Sequence, residues 1–144
     1  MAEIVSKLTQ KIDLKYGKTL MAPLLITAIL VGAHISFGIL GSYPKLAAAI
    51  GTSIAAELLL GKFMYGQFKP PISAYISGIS VGILVRSPMV WPFALCSLLS
   101  ITSKYVLRFK GQHIWNPSNF GIVALVLIAA DSTAVLSIQW GNNM

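Results

Sequence analysis

Charged residues are scarce in this chain, and acidic residues are the scarcest of all. Only 10% of its 144 residues are charged, whereas 56% are hydrophobic. A soluble globular domain carries about 25% charged residues, which cover its water-facing surface. The composition therefore excludes an ordinary soluble domain and predicts a membrane protein.

Cysteine is almost absent, and so are the short motifs of common enzyme classes. The single cysteine, Cys96, excludes an intrachain disulfide and a metal site built from several cysteines. Since it lies within an apolar segment, we interpret it as a small buried packing residue. The sequence has no phosphate-binding loop, no dinucleotide fingerprint and no metal-ligand spacing among His, Cys, Asp and Glu. It therefore identifies no catalytic residues and leaves open whether the chain is an enzyme.

Basic residues outnumber acidic ones by eleven to four, which gives a net charge of +7. In a soluble protein this excess would suggest nucleic-acid binding. Here the basic residues separate apolar segments, as they do in the loops of membrane proteins. We therefore expect no nucleic-acid partner.

Residues 1–18 are predicted to form an amphipathic basic leader in the cytoplasm. Apolar residues recur along it at helical spacing, and lysines form a second stripe at intervals of four, four and three residues. Such a helix suits the surface of an anionic lipid leaflet, although an ordinary solvated leader explains the pattern as well. The apolar stripe consists of Ile4, Val5, Leu8 and Ile12, and the lysine stripe of Lys7, Lys11, Lys15 and Lys18.

Five apolar segments follow, and we predict that they form an all-α transmembrane domain of five helices over residues 19–144. An apolar helix needs about 20 residues to cross a hydrocarbon core of about 30 Å. Segments 2 and 3 are shorter than this, and short or broken helices of that kind line the sites of transporter-like folds. The segments cover residues 20–40, 46–61, 70–85, 89–107 and 117–138.

Small residues in segments 2 and 3 predict close helix packing. Gly51, Ala55 and Ala56 give segment 2 a small-residue face. Gly78 and Gly82, four residues apart, give segment 3 a similar stripe. We therefore expect these two faces to approach neighbouring helices closely.

The loop charges predict the orientation of the chain. If all five segments cross the membrane, nine basic residues fall on one side and two on the other. The positive-inside rule then places the N-terminus in the cytoplasm and the C-terminus outside, as in a multi-pass protein of the bacterial inner membrane. The nine are Lys7, Lys11, Lys15, Lys18, Lys62, Lys69, Lys104, Arg108 and Lys110, and the two are Lys45 and Arg86.

Three ionisable residues within or beside the segments are candidate functional residues. Glu57 lies inside segment 2, where a carboxylate costs several kcal/mol unless it is paired, protonated or wet. We interpret it as a proton or ion site, or as the partner of a basic group. His34 and His113 lie on opposite sides of the membrane in this topology, so they cannot share a haem. Ligation of a pigment by either histidine alone stays open, and His34 is more simply explained as a packing residue.

The stretch of residues 111–121 predicts a helix start with polar side chains around it. Pro117 has no N–H and disfavours a helical residue before it, so the last helix is predicted to begin there. Asn116 is then placed to cap this helix with its side-chain oxygen, and Asn119 lies one turn further in. Two amides and the free N–H groups of a helix start form a polar pocket, although Asn-Pro also marks ordinary helix starts. Lys104 and His113 are expected to add positive charge nearby.

A set of motifs follows in fixed order along the second half of the chain. They are Ile76-Ser77-Gly78-Ile79-Ser80-Val81-Gly82-Ile83-Leu84, then Pro88, Trp91-Pro92, Ser103-Lys104 and Asn116-Pro117-Ser118-Asn119-Phe120-Gly121. This set resembles one family of membrane proteins, the RnfD family, whose members belong to Rnf complexes and to the Na+-translocating NADH:quinone oxidoreductase. The basic run with Gly-x-His-x-x-Asn-Pro is most similar to the UnbU-like branch of that family. The resemblance covers about residues 70–141 and corresponds to the N-terminal half of a family member.

The resemblance implies a ten-helix fold of two inverted halves, of which this chain would supply one, in a membrane complex that passes electrons. It implies a non-covalent riboflavin or flavin mononucleotide (FMN) near Asn116 and Asn119. The family's Ser-Gly-Ala-Thr motif, which carries a covalent flavin, has only Asp131-Ser132-Thr133-Ala134 in its place, so covalent attachment is not expected. The residues carried over by motif are Ser77, Gly78, Lys104, Asn116, Pro117 and Asn119, with His113 beside them.

Three functions stay open from the sequence. The first is an integral membrane subunit of a flavin-associated electron-transport complex. The second is half of a small-solute or ion transporter, with Glu57 in the path. The third is an accessory, structural or pigment-binding subunit of a larger membrane assembly. All three imply that the partners are other membrane subunits or further copies of the chain.

Overall fold

The computed structural model describes residues 1–40 and 42–135. For residues 12–16 and 134–135 it describes the backbone only. The described chain is mostly helical, with four two-residue strands besides, so the all-α prediction is confirmed. It divides into two units, Met1–Phe37 and Gly38–Met144. The elements are α1 (Ala2–Phe37), α2 (Tyr43–Tyr65), α3 (Ile72–Leu84), β1 (Val85–Arg86), α4 (Trp91–Val106), β2 (Arg108–Phe109), β3 (Gln112–His113), α5 (Pro117–Ile128), a 3-10 turn (Ala130–Ser132) and β4 (Ala134–Val135).

The first unit is a single helix that joins the predicted leader to the first apolar segment. Pro23 lies inside α1 without ending it, and an exposed ion pair joins Lys7 to Glu3 one turn earlier, at 3.1 Å. The helix ends at Phe37, three residues before the predicted end of segment 1. Its stretch Gly17–Phe37 is long and apolar enough to cross a membrane.

Helix α2 is longer than the sequence pattern indicated. It has 23 residues, a length of about 34 Å, and it is the second helix long and apolar enough to cross a membrane. The prediction of a short segment 2 is therefore wrong. The apolar pattern did not include the two ends of this helix, because they contain polar residues and a proline. Pro44 lies in the first turn, where proline is tolerated. Gly66 ends it in the left-handed conformation and donates its N–H to the Lys62 carbonyl, a common helix ending.

Helices α3 and α5 are both short. The 13 residues of α3 agree with the prediction of a short third segment. The 12 residues of α5 do not agree with a segment that reaches residue 138, because the helix ends at Ile128 and a 3-10 turn follows. At about 20 and 18 Å, both helices fall short of a hydrocarbon core of about 30 Å. Residues 136–138 lie outside the described chain, and five complete crossings stay a prediction.

Two small antiparallel sheets complete the second unit. Strand β1 follows α3 directly and pairs with β4, which comes soon after α5, so that Val85 faces Val135 and Arg86 faces Ala134. This pairing satisfies backbone groups just where the two short helices stop. Strands β2 and β3 form a hairpin whose two loop residues, Lys110 and Gly111, both have positive φ, as a two-residue hairpin turn requires.

Close helix contacts in the second unit depend on glycine. A Cβ at Gly78 would lie 2.6 Å from the Ile50 Cα atom of the α2 backbone, and one at Gly82 would meet the end of the Leu46 side chain. The predicted packing stripe of segment 3 is therefore confirmed. The predicted face of segment 2 is mostly wrong, because Gly51 and Ala55 are exposed, whereas Ala56 is buried. The buried face of α2 instead consists of Ala49, Ser53, Ala56, Glu57 and Gly61.

The core contains two apolar clusters with serines between them. Along α2, for example, Ser53 lies between Ala49 of one cluster and Ala56 of the other. Six serines are buried in the described chain, and we call five of them, all except Ser103, the serine layer: Ser53, Ser77, Ser97, Ser100 and Ser118. The first cluster contains Ala49, Val81, Val85, Phe93, Cys96, Ile122 and Leu125, and the second contains Ala56, Ala74, Ile101 and Tyr105.

Candidate functional site

A buried ion pair joins α2 to α4. The Lys104 Nζ atom lies 2.7 Å from the Glu57 Oε1 atom, and the Glu57 side chain is only 1% exposed. The same ammonium group donates to the Ser73 hydroxyl of α3 at 2.6 Å. Three helices are therefore tied together by one lysine, and the carboxylate in the apolar interior is paired rather than isolated.

Tyr105 supports the pair from the next position on α4. Its hydroxyl donates to the Glu57 Oε1 atom at 2.9 Å. Within the described chain, the second carboxylate oxygen of Glu57 is buried and has no hydrogen-bond partner. A buried ion pair is stable only when its geometry and additional hydrogen bonds compensate the loss of water. Here the Oε1 atom of Glu57 accepts from both Lys104 and Tyr105, and the Oε2 atom is left available as an acceptor.

Of the two interpretations of Glu57, the structure favours a partner of a basic group. The sequence did not identify Lys104 as that partner, because 47 positions separate the two residues. It also missed Ser73 and Tyr105. The one signal that pointed to this contact is that the five apolar segments contain a single Lys or Arg, Lys104, and only two carboxylates, Glu57 and Asp131.

Cations and tyrosines gather around the ion pair, where α2 ends and α4 runs into the hairpin. The Lys69 Nζ atom lies 4.0 Å from the centroid of the Tyr65 ring. The Arg108 guanidinium donates to the Tyr65 hydroxyl and, at 2.8 Å, to the Gly111 carbonyl. The Tyr65 and Tyr105 rings are 6.0 Å apart. We call this region the carboxylate end, and it comprises Glu57, Tyr65, Lys69, Lys104, Tyr105 and Arg108.

The start of α5 has the conformation that the sequence predicted. Asn116 is the N-cap, and its side-chain oxygen accepts from the Ser118 N–H at 3.1 Å, so the capping prediction is confirmed. Asn119 lies one turn further along and is exposed, as is His113 in strand β3. These three residues of the predicted flavin site therefore lie at one accessible junction between the hairpin and α5.

The other three residues of the predicted flavin site have different surroundings. Lys104 is turned toward Glu57 and Ser73. Gly78 lies against the backbone of α2, and Ser77 belongs to the serine layer. These two lie in the interior of the unit, whereas the hairpin junction is at its surface.

The serine layer contains polar atoms without partners. The Ser53 and Ser97 hydroxyls are buried and form no hydrogen bond within the described chain. Ser100, by contrast, donates to the Cys96 carbonyl at 2.7 Å. Ser53 lies one turn before Glu57 on α2, so an unpartnered hydroxyl and an unpartnered carboxylate oxygen follow each other along one helix face. Sequence reasoning missed this layer, since single serines in apolar segments carry no specific signal.

The described residues contain no cluster of side chains that could hold a metal ion. Among the residues that the structure describes, no group of three or more His, Cys, Asp or Glu comes together. His34 lies in the last turn of α1, in the other unit from His113.

Comparisons with models of known protein families, with curated proteins and with solved structures find no match to this chain.

Proposed function

We propose that this chain is an integral membrane subunit of a flavin-associated electron-transport complex, with its N-terminus in the cytoplasm and five crossings of a bacterial inner membrane. The membrane part of this proposal is supported by the large apolar side chains on the surface of both units. Leu24 and Leu25 of α1 are 68% and 64% exposed, and Phe63 of α2 is 89% exposed. Exposure of such side chains to water is unfavourable, whereas contact with lipid tails is not.

One observation carries the orientation, namely the unequal charge of the two ends of the second unit. Five basic residues lie at or next to the carboxylate end, whereas two lie where α2 begins and α3 ends. An excess of Lys and Arg is typical of cytoplasmic loops, so the carboxylate end would face the cytoplasm. The five are Lys62, Lys69, Lys104, Arg108 and Lys110, and the two are Lys45 and Arg86.

The redox part of the proposal depends on the resemblance to the RnfD family and on the accessible hairpin junction. Asn119 offers both donors and acceptors, as the edge of a flavin ring requires. Trp115, next to the capping residue, is 62% exposed and could stack on an aromatic ring. His113 adds a group that can donate or accept. The flavin, when bound, would supply the electron transfer, and these side chains would hold and orient it.

An absorption spectrum of the purified protein tests this proposal. We expect a flavin band at about 450 nm that survives gel filtration and is lost in Asn119→Ala. Asn119 has no capping role, so the variant should remain folded. A colourless wild-type protein would contradict the redox assignment, and bands of chlorophyll or carotenoid would favour a pigment-binding accessory subunit instead.

A second candidate function, proton or ion transfer through the second unit, is favoured by the serine layer. Within the described chain, the buried Ser53 hydroxyl has no partner and lies one turn of α2 before the free oxygen of Glu57, and the buried Ser97 hydroxyl of α4 has no partner either. Interior polar groups of this kind are costly in a bilayer and commonly mark ion or proton paths. In proteoliposomes, Ser53→Ala should then reduce proton or ion flux, whereas Thr52→Ala, its neighbour outside the buried face, should not. Equal flux in both variants and the wild type would exclude this path.

A further inference from the structure

A small cavity lies at the opposite end of the second unit from Glu57. It is lined by residues where α2 begins, where α3 passes into β1, and where α4 begins, and its open volume is about 300 Å³. That volume includes space open to solvent, and its enclosed part of about 60 Å³ has room for only a small group. We call it the pocket end, and its lining residues are Ser42, Lys45, Gly82, Arg86, Ser87 and Phe93.

Two cations line this cavity, and both are bound only by neutral oxygens. The Lys45 Nζ atom donates to the Ser87 carbonyl at 2.7 Å, and the Arg86 Nη2 atom donates to the Ile39 carbonyl at 2.6 Å. Lys45 also lies 5.9 Å from the centre of the Phe93 ring. In the described chain, neither cation forms an ion pair with a carboxylate. Two positive charges thus share one cavity without a negative charge to balance them.

Asp131, the only acidic residue of the second unit besides Glu57, does not change this balance. Asp131 lies in the 3-10 turn after α5, and strand β4, which pairs with β1, begins three residues later. Its side chain is exposed and makes no ion pair within the described residues. Solvent at the surface therefore screens its effect on the cavity.

Several donors at the cavity are also unused. The Arg86 Nε atom is buried and has no hydrogen-bond partner within the described chain. Ser42 is the N-cap of α2, but its hydroxyl makes no capping hydrogen bond. The Ser87 oxygen accepts from the Met89 N–H at 3.2 Å, which leaves its O–H free to donate. The first turn of α2 adds the positive end of a 23-residue helix.

We infer that the pocket end binds a small oxyanion, a carboxylate or phosphate group held by Lys45 and Arg86 with help from the Ser42 and Ser87 hydroxyls. An oxyanion supplies several acceptor atoms at once, which matches the donors that converge here. It also neutralises two cations that leave water when the unit folds. The group belongs either to a free solute or to the headgroup of an anionic lipid, since both present the same charged oxygens.

Thermal unfolding of the full-length protein tests this inference. Inorganic phosphate is added to protein in a neutral detergent, with sodium chloride at equal ionic strength as the reference. We expect a saturable rise of the unfolding temperature that is specific to phosphate. In Lys45→Gln the phosphate concentration for half of the effect should increase about tenfold or more, because one of two charged donors is lost. Lys69→Gln removes the same charge at the carboxylate end and should respond like the wild type.

A second variant guards against misfolding of the first. Ser42→Asp places a carboxylate at the cavity and at an N-cap position that favours aspartate, so it should fold. We expect this variant to be more stable without phosphate and to have lost the phosphate response, because its own carboxylate occupies the site. A phosphate response that persists in both Ser42→Asp and Lys45→Gln would overturn the inference.

A third arm distinguishes the two sources of the oxyanion. The wild type and Lys45→Gln are compared in nanodiscs of phosphatidylcholine alone and with phosphatidylglycerol added. Stabilisation by phosphatidylglycerol but not by free phosphate, lost in Lys45→Gln, assigns the site to a lipid headgroup. A response to free phosphate assigns it to a solute. No Lys45-dependent response in any arm would show that the pocket end binds no oxyanion.

Discussion

The two ends of the second unit bind partly buried cations in opposite ways. At the carboxylate end, Lys104 meets Glu57 at 2.7 Å, and Tyr105 adds a hydrogen bond to the same oxygen. At the pocket end, Lys45 and Arg86 each donate to a backbone carbonyl, and within the described chain neither meets a carboxylate. One end therefore balances its interior charge with a side chain of the chain itself, whereas the other leaves a cavity between two cations.

Substitutions at the two ends should therefore differ in how much stability they remove. A buried carboxylate and its lysine depend on each other, because removing either one leaves an unpaired charge in a medium of low dielectric constant. Removing a cation that is bound to a carbonyl near the surface should lower the free energy of unfolding less, since no opposite charge is left unpaired. The predictions below rank from the largest expected effect to the smallest.

Charge reversal at Glu57 should have the largest effect. Glu57→Lys places two ammonium groups against each other in the interior, so we expect no folded, membrane-inserted protein. Glu57→Gln should keep the fold. Yield and a single symmetrical peak in size-exclusion chromatography measure the outcome.

The matched control reverses a charge at the other end. Lys45→Glu should still give folded protein, because a carboxylate there faces Arg86. If Glu57→Lys inserted and purified as well as Lys45→Glu, the carboxylate end would not be a buried ion pair.

Removal of one partner comes next. Lys104→Met should lower the free energy of unfolding by about 3–5 kcal/mol, because it leaves Glu57 buried without its cation. Lys45→Met should cost less, at most about 1.5–3 kcal/mol, because it removes one hydrogen bond of a charged group that is only partly buried. Denaturant titration in mild detergent measures both. Similar losses in the two variants would remove the distinction between the ends.

A smaller effect is expected from the tyrosine that supports the pair. Tyr105→Phe removes one donor to a charged oxygen and should cost about 1.5–3 kcal/mol. Tyr65→Phe is the control, since the Tyr65 hydroxyl only accepts from the exposed Arg108. It should change stability by about 0.5 kcal/mol or less. An equal cost for the two tyrosines would mean that the contact of Tyr105 with Glu57 contributes nothing.

The smallest effects are expected at the start of α5, because its cap involves residues of neither the carboxylate end nor the pocket end. Asn116→Ala should cost about 1 kcal/mol, the value of a lost cap. Asn119→Ala should change stability by about 0.5 kcal/mol or less, because the side chain is exposed. The same titration measures both variants. A large loss for Asn119→Ala would assign this residue a packing role and make its flavin test uninformative.

The sequence predicted those parts of the fold that depend on local chemistry. Asn116 and Pro117 predicted the start of α5, and Gly78 with Gly82 predicted a close helix contact, because a cap and a missing Cβ act at their own positions. It mispredicted the ends of α2 and α5. Helix ends depend on what replaces the lost hydrogen bonds, and the replacement for α3 and α5 is a strand pairing across about 50 residues.

The candidate site was harder to predict for the same reason. Glu57 was identified from its cost in an apolar segment, a property of one residue. Its contacts with Lys104, Tyr105 and Ser73 depend on how α2, α3 and α4 pack. So do the serine layer and the pocket end, which appear only when helices distant in sequence meet.

Side-specific labelling of single cysteines in intact cells tests most directly that the two ends lie on opposite sides of a membrane. Cys96 is fully buried and is replaced by alanine as background. Lys110→Cys then marks the hairpin beside the carboxylate end, and Met89→Cys marks the exposed loop beside the pocket end. With a maleimide that does not cross the inner membrane, we expect Met89→Cys to react in intact cells and Lys110→Cys to react only after lysis. Reaction of both in intact cells, or the reverse order, would contradict the account.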